Sequence, residues 1–187
     1  MEIFDINTVR LGFLGYVAFR DGEAYRGGLL ITDGNGKPVE FRSTTPVKPN
    51  VLQRTLYGAT MMSHIATELL GVPLLKSVEQ KPSVILIRDE IFFSVRSQVE
   101  TPLFRIEQQQ NGTTSLPSAY AMTNDEALKS PANYIPIVAT PHGAHQDDLS
   151  LCKPILKEVF GRMDLYEPFE RLENAISYVH ENKVLEE

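Results

Sequence analysis

The chain has 187 residues with 42% hydrophobic content, which is long and apolar enough to bury a core of its own. Its formal net charge of −6 opposes a broad basic surface for phosphate backbones. We therefore do not expect nucleic acid as a partner, although the arginine-rich first third of the chain is locally basic. A single cysteine, Cys152, excludes an intramolecular disulfide.

The beginning of the chain gives no sign of export or membrane insertion. Residues 1–5 lack the basic start and the long apolar run of a secretory signal. No apolar stretch approaches the roughly 20 residues that a membrane span needs. We expect a cytoplasmic protein with no membrane contact.

Alternating and glycine-bounded segments predict strands near the start of the chain. Residues 11–19 combine aromatic, β-branched and glycine residues, which favours a strand over a helix. Residues 28–33 and 37–42 flank Gly34-Asn35-Gly36, which is typical of a hairpin with a three-residue loop. In that register one face of the hairpin carries Leu29, Ile31, Val39 and Phe41.

One long helix is predicted over residues 50–71. Asn50 is a good N-cap, and Gln53 three residues later completes an approximate capping box. Pro73 follows Gly71 and predicts the end of the helix. We expect its apolar stripe to pack on the hairpin face, and the stripe contains Leu52, Leu56, Ala59, Met62, Ala66, Leu69 and Leu70.

Further apolar segments predict the rest of the sheet. Residues 83–88 form a short continuous apolar run, which is typical of a central strand covered on both sides. Residues 91–96 and 103–107 are predicted to continue it as an antiparallel meander. Pro136 restricts residues 134–139 to an edge strand or an extended loop.

The last part of the chain is predicted to be helical. Ile155, Leu156, Val159, Phe160 and Met163 form one apolar stripe, and Phe169, Leu172, Ile176 and Val179 form another. The predicted fold is α+β: a mixed or mainly antiparallel sheet of five or six strands, crossed by one long helix, with a C-terminal helical hairpin. Residues 1–140 form the sheet domain, and residues 141–187 form a helical segment packed on it.

One polar cluster is a candidate for chemistry. His142, His145, Asp147 and Asp148 follow an apolar extended segment, and neutral imidazole and carboxylate groups suit a divalent transition metal. The competing interpretation is that one of the aspartates stabilises the N-terminus of the next helix while the histidines lie in a solvated loop.

Two other arrangements carry less weight. Asp33, Glu40 and Arg42 approximate a nuclease pattern, but arginine cannot easily lose a proton to act as a base. The predicted register also places Asp33 and Glu40 on opposite faces of the hairpin. Cys152 lies among apolar residues and is expected to be a buried core residue rather than a nucleophile.

The sequence contains no nucleotide-binding fingerprint, Cys-x-x-Cys pair or catalytic triad pattern. The favoured function is therefore a non-catalytic protein-binding subunit or adaptor of a larger cytoplasmic assembly, without a cofactor, that binds a protein partner or a second copy of itself. Aromatic residues beyond the needs of one core favour this hypothesis, among them Tyr57, Phe92, Tyr120, Tyr134, Tyr166 and Tyr178. The alternative is a metal-dependent hydrolase centred on residues 142–148.

The metal hypothesis makes a direct prediction. In such a hydrolase the bound ion would generate hydroxide from its water near neutral pH. The purified protein should therefore contain a stoichiometric divalent transition metal. Substituting His142→Ala together with His145→Ala should remove that metal. Elemental analysis of both proteins checks the prediction, and a metal-free wild type would contradict it.

Overall fold

A computed structural model describes residues 5–108, 135 and 137–184. These residues form a six-stranded mixed sheet with the strand order β3-β2-β1-β4-β5-β6. The strands are β1 (Arg10–Phe19), β2 (Ala24–Asp33), β3 (Pro38–Ser43), β4 (Val84–Ile87), β5 (Leu103–Gln108) and β6 (Ile137–Pro141). The predicted α+β class is confirmed.

Helices cover both faces of the sheet. The α-helices are α1 (Val51–Tyr57), α2 (Met61–His64), α3 (Val72–Ser77), α4 (Asp147–Phe160) and α5 (Glu167–Glu181). The other helical segments are two 3-10 segments (Gly58–Thr60 and Glu90–Ser97) and one π-helical segment (Ile65–Gly71). Among the described residues, no helix combines the length and the apolar composition that crossing a bilayer requires.

Strand β4 holds the two halves of the sheet together. It pairs in parallel with β1 on one side and with β5 on the other. All four of its residues are fully buried, as predicted for a central strand. One face packs against α4 and α5 in a cluster that includes Phe13, Leu86 and Ile176. The other face packs against the π-helical segment and the Glu90–Ser97 helix in a cluster that includes Leu14, Ile85 and Phe92.

The predicted antiparallel meander after the long helix is wrong. Residues 91–96 do not form a strand, because they lie in the 3-10 helix Glu90–Ser97. Asp89 caps this helix by accepting a hydrogen bond from the Ile91 amide at 3.0 Å. Phe92 and Val95, three residues apart, are both fully buried on the face of the sheet that packs against the π-helical segment. The chain therefore crosses over between β4 and β5, which makes these two strands parallel.

The predicted long helix is present, and its end lies further along the chain. Asn50 caps it, and the capping box with Gln53 is confirmed. Pro73 does not stop the helix, because it lies in the first turn of α3 directly after the π-helical segment. Leu52 and Leu56 of the predicted buried stripe are 65% and 74% exposed, so only the later part of the helix packs on the sheet.

The hairpin has the predicted loop and a different register. The Asp33 amide donates to the Lys37 carbonyl at 3.0 Å, which closes the three-residue loop. A bulge then shifts the pairing, so that Ile31 lies opposite Glu40 instead of Val39. The predicted common face is therefore wrong. Leu29 and Ile31 are buried beneath the helix, Val39 is 41% exposed, and Phe41 packs on the opposite side of the sheet.

A buried ion pair joins the 3-10 helix to α4. Arg96 Nε lies 2.7 Å from one carboxylate oxygen of Asp148, and Arg96 Nη2 lies 3.0 Å from the other. The side chains are 12% and 6% exposed. Removing one partner of such a pair leaves the other charge buried without compensation, which is costly.

The Asp148→Asn substitution should lower the free energy of unfolding by about 3 kcal/mol, because it leaves the Arg96 guanidinium without its counter-charge. Asp147→Asn is the matched control: its side chain is exposed on the same helical turn, and the expected change stays within about 0.5 kcal/mol. Urea denaturation of the two variants measures the difference. Equal stabilities would show that the ion pair contributes nothing.

Candidate functional site

A cleft opens where β1 and β4 separate. Leu11–Leu14 of β1 pair with Val84–Ile87 of β4. Beyond Leu14, β1 continues to Phe19 with β2 on one side and without β4 on the other. The resulting cavity has a volume of about 670 Å³. Its walls are Leu14–Ala18 of β1, Arg88, Asp89 and Phe92 after β4, and Phe169, Leu172, Glu173, Asn174 and Ser177 of α5. Crevices at the carboxyl ends of strands are the usual ligand sites of open α/β sheets.

Helix α5 forms one wall of the cleft because glycine allows its close approach to the sheet. A Cβ atom at Gly28 would lie 2.6 Å from Ile176 Cγ1, which is shorter than any tolerated contact. A Cβ atom at Gly15 would lie 3.3 Å from Leu172 Cδ2. The two glycines thus bring the polar residues of α5, including Glu173, to the carboxyl end of β1.

Arg88 is the main cationic group in the cleft. It follows the last residue of β4 and makes an ion pair with Glu173 of α5. Its guanidinium carbon lies 5.2 Å from the ring centre of Tyr166 and 5.1 Å from that of Phe169. The two rings hold the guanidinium by cation–π contacts, and 29% of the side chain remains exposed. Arg88 is therefore held in place and still accessible to a ligand.

Asp89 and Tyr16 form a second polar pair beside Arg88. The Tyr16 hydroxyl donates to Asp89 Oδ2 at the long distance of 3.5 Å, while Asp89 Oδ1 caps the 3-10 helix. Burial raises the pKa of Tyr16 above its ordinary value of 10, and the negative charge and hydrogen bonding of Asp89 raise it further. The phenol therefore stays protonated and can donate a hydrogen bond at neutral pH.

The charges around the cleft are mixed. Arg105 of β5 adds a second cation, with its Nε 3.4 Å from the Arg88 carbonyl oxygen and its Nη2 2.8 Å from Glu107 Oε1. Within residues 5–108 and 137–184, no group of three or more His, Cys, Asp or Glu side chains could hold a metal ion. In the cleft, Arg88 can bind an anionic group. The Tyr16 phenol and the Asp89 carboxylate lie beside it.

The predicted histidine and aspartate cluster does not line the cleft. His142 Nδ1 accepts a hydrogen bond from the Ala144 amide at 3.1 Å, and its ring centre lies 5.4 Å from that of His145. Asp148 turns away to pair with Arg96, and Asp147 is exposed. The structure brings the two histidines together and separates Asp148 from them.

Asp33, Glu40 and Arg42, the nuclease pattern on the hairpin, are also engaged in other interactions. Asp33 Oδ1 accepts hydrogen bonds from the amides of Asn35 and Lys37 in the loop. Glu40 accepts from the amide of Gln80 at 2.9 Å and from Arg42 Nε at 2.7 Å. The register shift removes the predicted placement of Asp33 and Glu40 on opposite faces of the hairpin. Both carboxylates nevertheless accept hydrogen bonds from backbone amides, and they do not converge on one point.

Cys152 lies on the buried face of α4 and packs in the core, as the sequence predicts. Burial raises the pKa of its thiol to about 11, and the nearby charge of Asp148 also raises it. A thiol of this kind is largely protonated at neutral pH and makes a poor nucleophile.

The sequence analysis missed the residues of the cleft. The strand predicted over residues 91–96 leaves Asp89 in the connection between two antiparallel strands, where a functional role is not expected. Polar residues directly after a fully apolar strand are a signal for a site when the strands are parallel, and Arg88 and Asp89 fit that signal. Tyr16 and Glu173 have no sequence signal of their own, since only folding brings them to the end of β4.

No protein-family model matches the chain, and no curated protein is found to be similar to it. Among solved structures, human ENDOV shares 10% sequence identity, with 94% of this chain and 86% of that chain covered and a TM-score of 0.50. Endonuclease V of Ciona intestinalis, in complex with a 24mer DNA that contains an inosine followed by a ribo-adenosine, shares 15% identity over 80% of this chain and 77% of that chain, with a TM-score of 0.48. Endonuclease V of Bacillus subtilis shares 14% identity over 73% and 65%, with a TM-score of 0.41.

These structures correct two predictions. The hypothesis of a non-catalytic, protein-binding adaptor subunit is contradicted, because the chain shares its fold with human ENDOV. The prediction against nucleic acid as a partner is contradicted by the same likeness of fold to human ENDOV. A net negative charge summed over the whole chain does not exclude a local cleft that binds anions. At 10% identity the likeness to human ENDOV shows the fold alone.

Proposed function

We propose that the chain binds and processes nucleic acid, and that the cleft between β1, β4 and α5 is its site. The observation that carries this proposal is the position of Arg88, Asp89 and Tyr16 at the carboxyl end of β4, within a fold shared with an endonuclease over 94% of the chain. The likeness supports the choice of nucleic acid as the ligand. The side chains supply the chemistry.

Arg88 binds a backbone phosphate in this proposal. An arginine presents a planar fork of donors that matches a phosphate, and the two aromatic rings already fix its orientation. In the absence of a ligand, the Arg88 guanidinium makes an ion pair with the Glu173 carboxylate. The phosphate therefore replaces Glu173, and this exchange lowers the net affinity. Tyr16, protonated at neutral pH, donates a further hydrogen bond to the bound strand.

Phosphodiester hydrolysis is the reaction that this arrangement supports. Water attacks the phosphorus atom, Asp89 accepts a proton from that water, and the bond from phosphorus to the leaving oxygen breaks. Tyr16 can donate the proton that the leaving oxygen requires, and Arg88 stabilises the charge that develops on the phosphate. These are the roles that side-chain chemistry allows at the cleft.

The metal site at His142, His145, Asp147 and Asp148 stays a prediction: the two histidine rings lie 5.4 Å apart, while Asp148 pairs with Arg96. The division into residues 1–140 and 141–187 and the cytoplasmic setting are likewise proposals. Elemental analysis tests the metal site, limited proteolysis tests the domain division, and microscopy of a tagged chain tests the setting.

Binding at the cleft is tested with a labelled single-stranded oligonucleotide of about 12 nucleotides, as DNA and as RNA. The Arg88→Ala substitution should weaken binding about tenfold, because a charge-assisted hydrogen bond to phosphate is lost. Glu173→Gln should strengthen binding about threefold, because the carboxylate that competes for Arg88 loses its charge. Fluorescence anisotropy measures both changes.

Glu170→Gln is the matched control for this experiment, since Glu170 is exposed on the same helix and does not line the cleft. Its affinity should equal that of the wild type. A wild-type protein that binds neither oligonucleotide would overturn the proposed function. Tight binding unaffected by Arg88→Ala would place the site outside the cleft.

Hydrolysis is tested by the time course of oligonucleotide cleavage. Asp89→Asn should retain binding and slow cleavage about a hundredfold, because the proton acceptor is removed. Since the pKa of Tyr16 is raised above its ordinary value of 10, the phenol keeps its proton through that pH, and the rate should fall only above it. The Tyr16→Phe variant should be slower and should not show this alkaline decrease. Cleavage unchanged in both variants would contradict the assigned roles.

A further inference from the structure

A second, smaller pocket lies beside the beginning of the long helix. Its volume is about 220 Å³, and it is lined by Val47, Lys48, Pro49, Gln53, Tyr57, Met61, His64, Ile65 and Leu69. The rings of Tyr57 and His64 stack with their centres 4.7 Å apart and their planes 26° apart. Tyr57 is 40% exposed, so this aromatic pair is open to a ligand. We call it the Tyr57 pocket.

The Tyr57 pocket lies at the same end of the sheet as the cleft. Val47 pairs with Tyr25 at the beginning of β2, with backbone hydrogen bonds of 2.8 and 2.9 Å. The beginning of β2 lies beside the end of β1, which forms the floor of the cleft. The ring of Tyr25 contacts that of Tyr16 with centres 6.2 Å apart. Tyr25 is buried, and it thus links the wall of the cleft at Tyr16 to Val47 of the Tyr57 pocket.

The composition of the pocket suits a nucleobase with its phosphate. Aromatic rings bind single strands by stacking on base faces, which tolerates any sequence. Met61, Ile65 and Leu69 supply apolar walls, and Lys48 is exposed at the rim, where it can meet a backbone phosphate. Ile65 and Leu69 belong to the π-helical segment, a distortion that occurs frequently at functional sites.

We propose that the Tyr57 pocket is a second nucleotide subsite, which takes one base of the same single strand whose phosphate binds Arg88 in the cleft. This inference rests on the proposed function, since the strand is defined by the cleft. It adds a base-stacking position at Tyr57 to the phosphate position at Arg88. The pocket also explains why an aromatic residue and a lysine are left exposed beside an otherwise apolar groove.

The test compares a nucleoside monophosphate with the oligonucleotide of about 12 nucleotides. Tyr57→Ala should weaken oligonucleotide binding about tenfold, as expected for one lost base stack, and leave nucleoside monophosphate binding unchanged. Arg88→Ala should weaken both. Tyr57→Phe retains the ring and should bind as the wild type does. Lys48→Ala should reduce the dependence of log affinity on log salt by about 0.7, the value for one phosphate contact on a single strand.

Tyr178→Ala is the matched control, because Tyr178 is 63% exposed and lines neither the cleft nor the Tyr57 pocket. Thermal unfolding of each variant confirms that the fold is retained. Wild-type oligonucleotide affinity in Tyr57→Ala, together with weakened binding in Arg88→Ala, would overturn the subsite and leave the proposed function intact. Equal weakening of both ligands by Tyr57→Ala would also overturn it, whereas a wild type that binds neither ligand would overturn the proposed function itself.

Discussion

The parallel pairing of β1 with β4, buried on both faces, is the constraint on which the rest of the structure depends. Val84–Ile87 are fully buried, and neighbouring strands and helices enclose β4 on every side. No polar side chain can be accommodated within such a strand without a partner, so the polar residues of this part of the chain emerge where it ends. Arg88 and Asp89 are the first of these residues. The location of the cleft thus follows from the hydrophobic effect acting on the central strand.

Helix α5 turns this strand end into a site. Glycines in β1 and β2 allow the helix to approach the sheet closely, and the approach brings Glu173 to Arg88. The ion pair is partly exposed, so its net contribution to stability is small and a competing anion can replace the carboxylate. The buried pair of Arg96 with Asp148 is different: it is largely shielded from solvent, and it ties the 3-10 helix that Asp89 caps to α4. One pair is suited to exchange, and the other is suited to hold the cleft in shape.

Local chemistry allowed several elements to be predicted. The capping box of Asn50 and Gln53, the three-residue hairpin loop and the apolar stripes of the last two helices depend on residues close in sequence, and each is present. The predictions that failed required long-range information. The bulge that moves Ile31 opposite Glu40 depends on how β2 and β3 fit the rest of the sheet. The 3-10 conformation of residues 91–96 depends on the space beside the π-helical segment, since an apolar run of this length suits a strand equally well.

The sequence by itself determined the α+β class, the central position of β4, the N-terminal cap of the long helix and the buried faces of α4 and α5. These features follow from hydrophobic periodicity and from hydrogen bonding between near neighbours, which a single chain displays directly. Only the tertiary structure decided that β4 is parallel to β1 and that Tyr16, Arg88, Asp89 and Glu173 meet in one cleft. The physical reason is that these four side chains come from three parts of the chain that are far apart in sequence. They meet only when α5 packs closely on β1 and β2, and this depends on packing on both faces of the sheet.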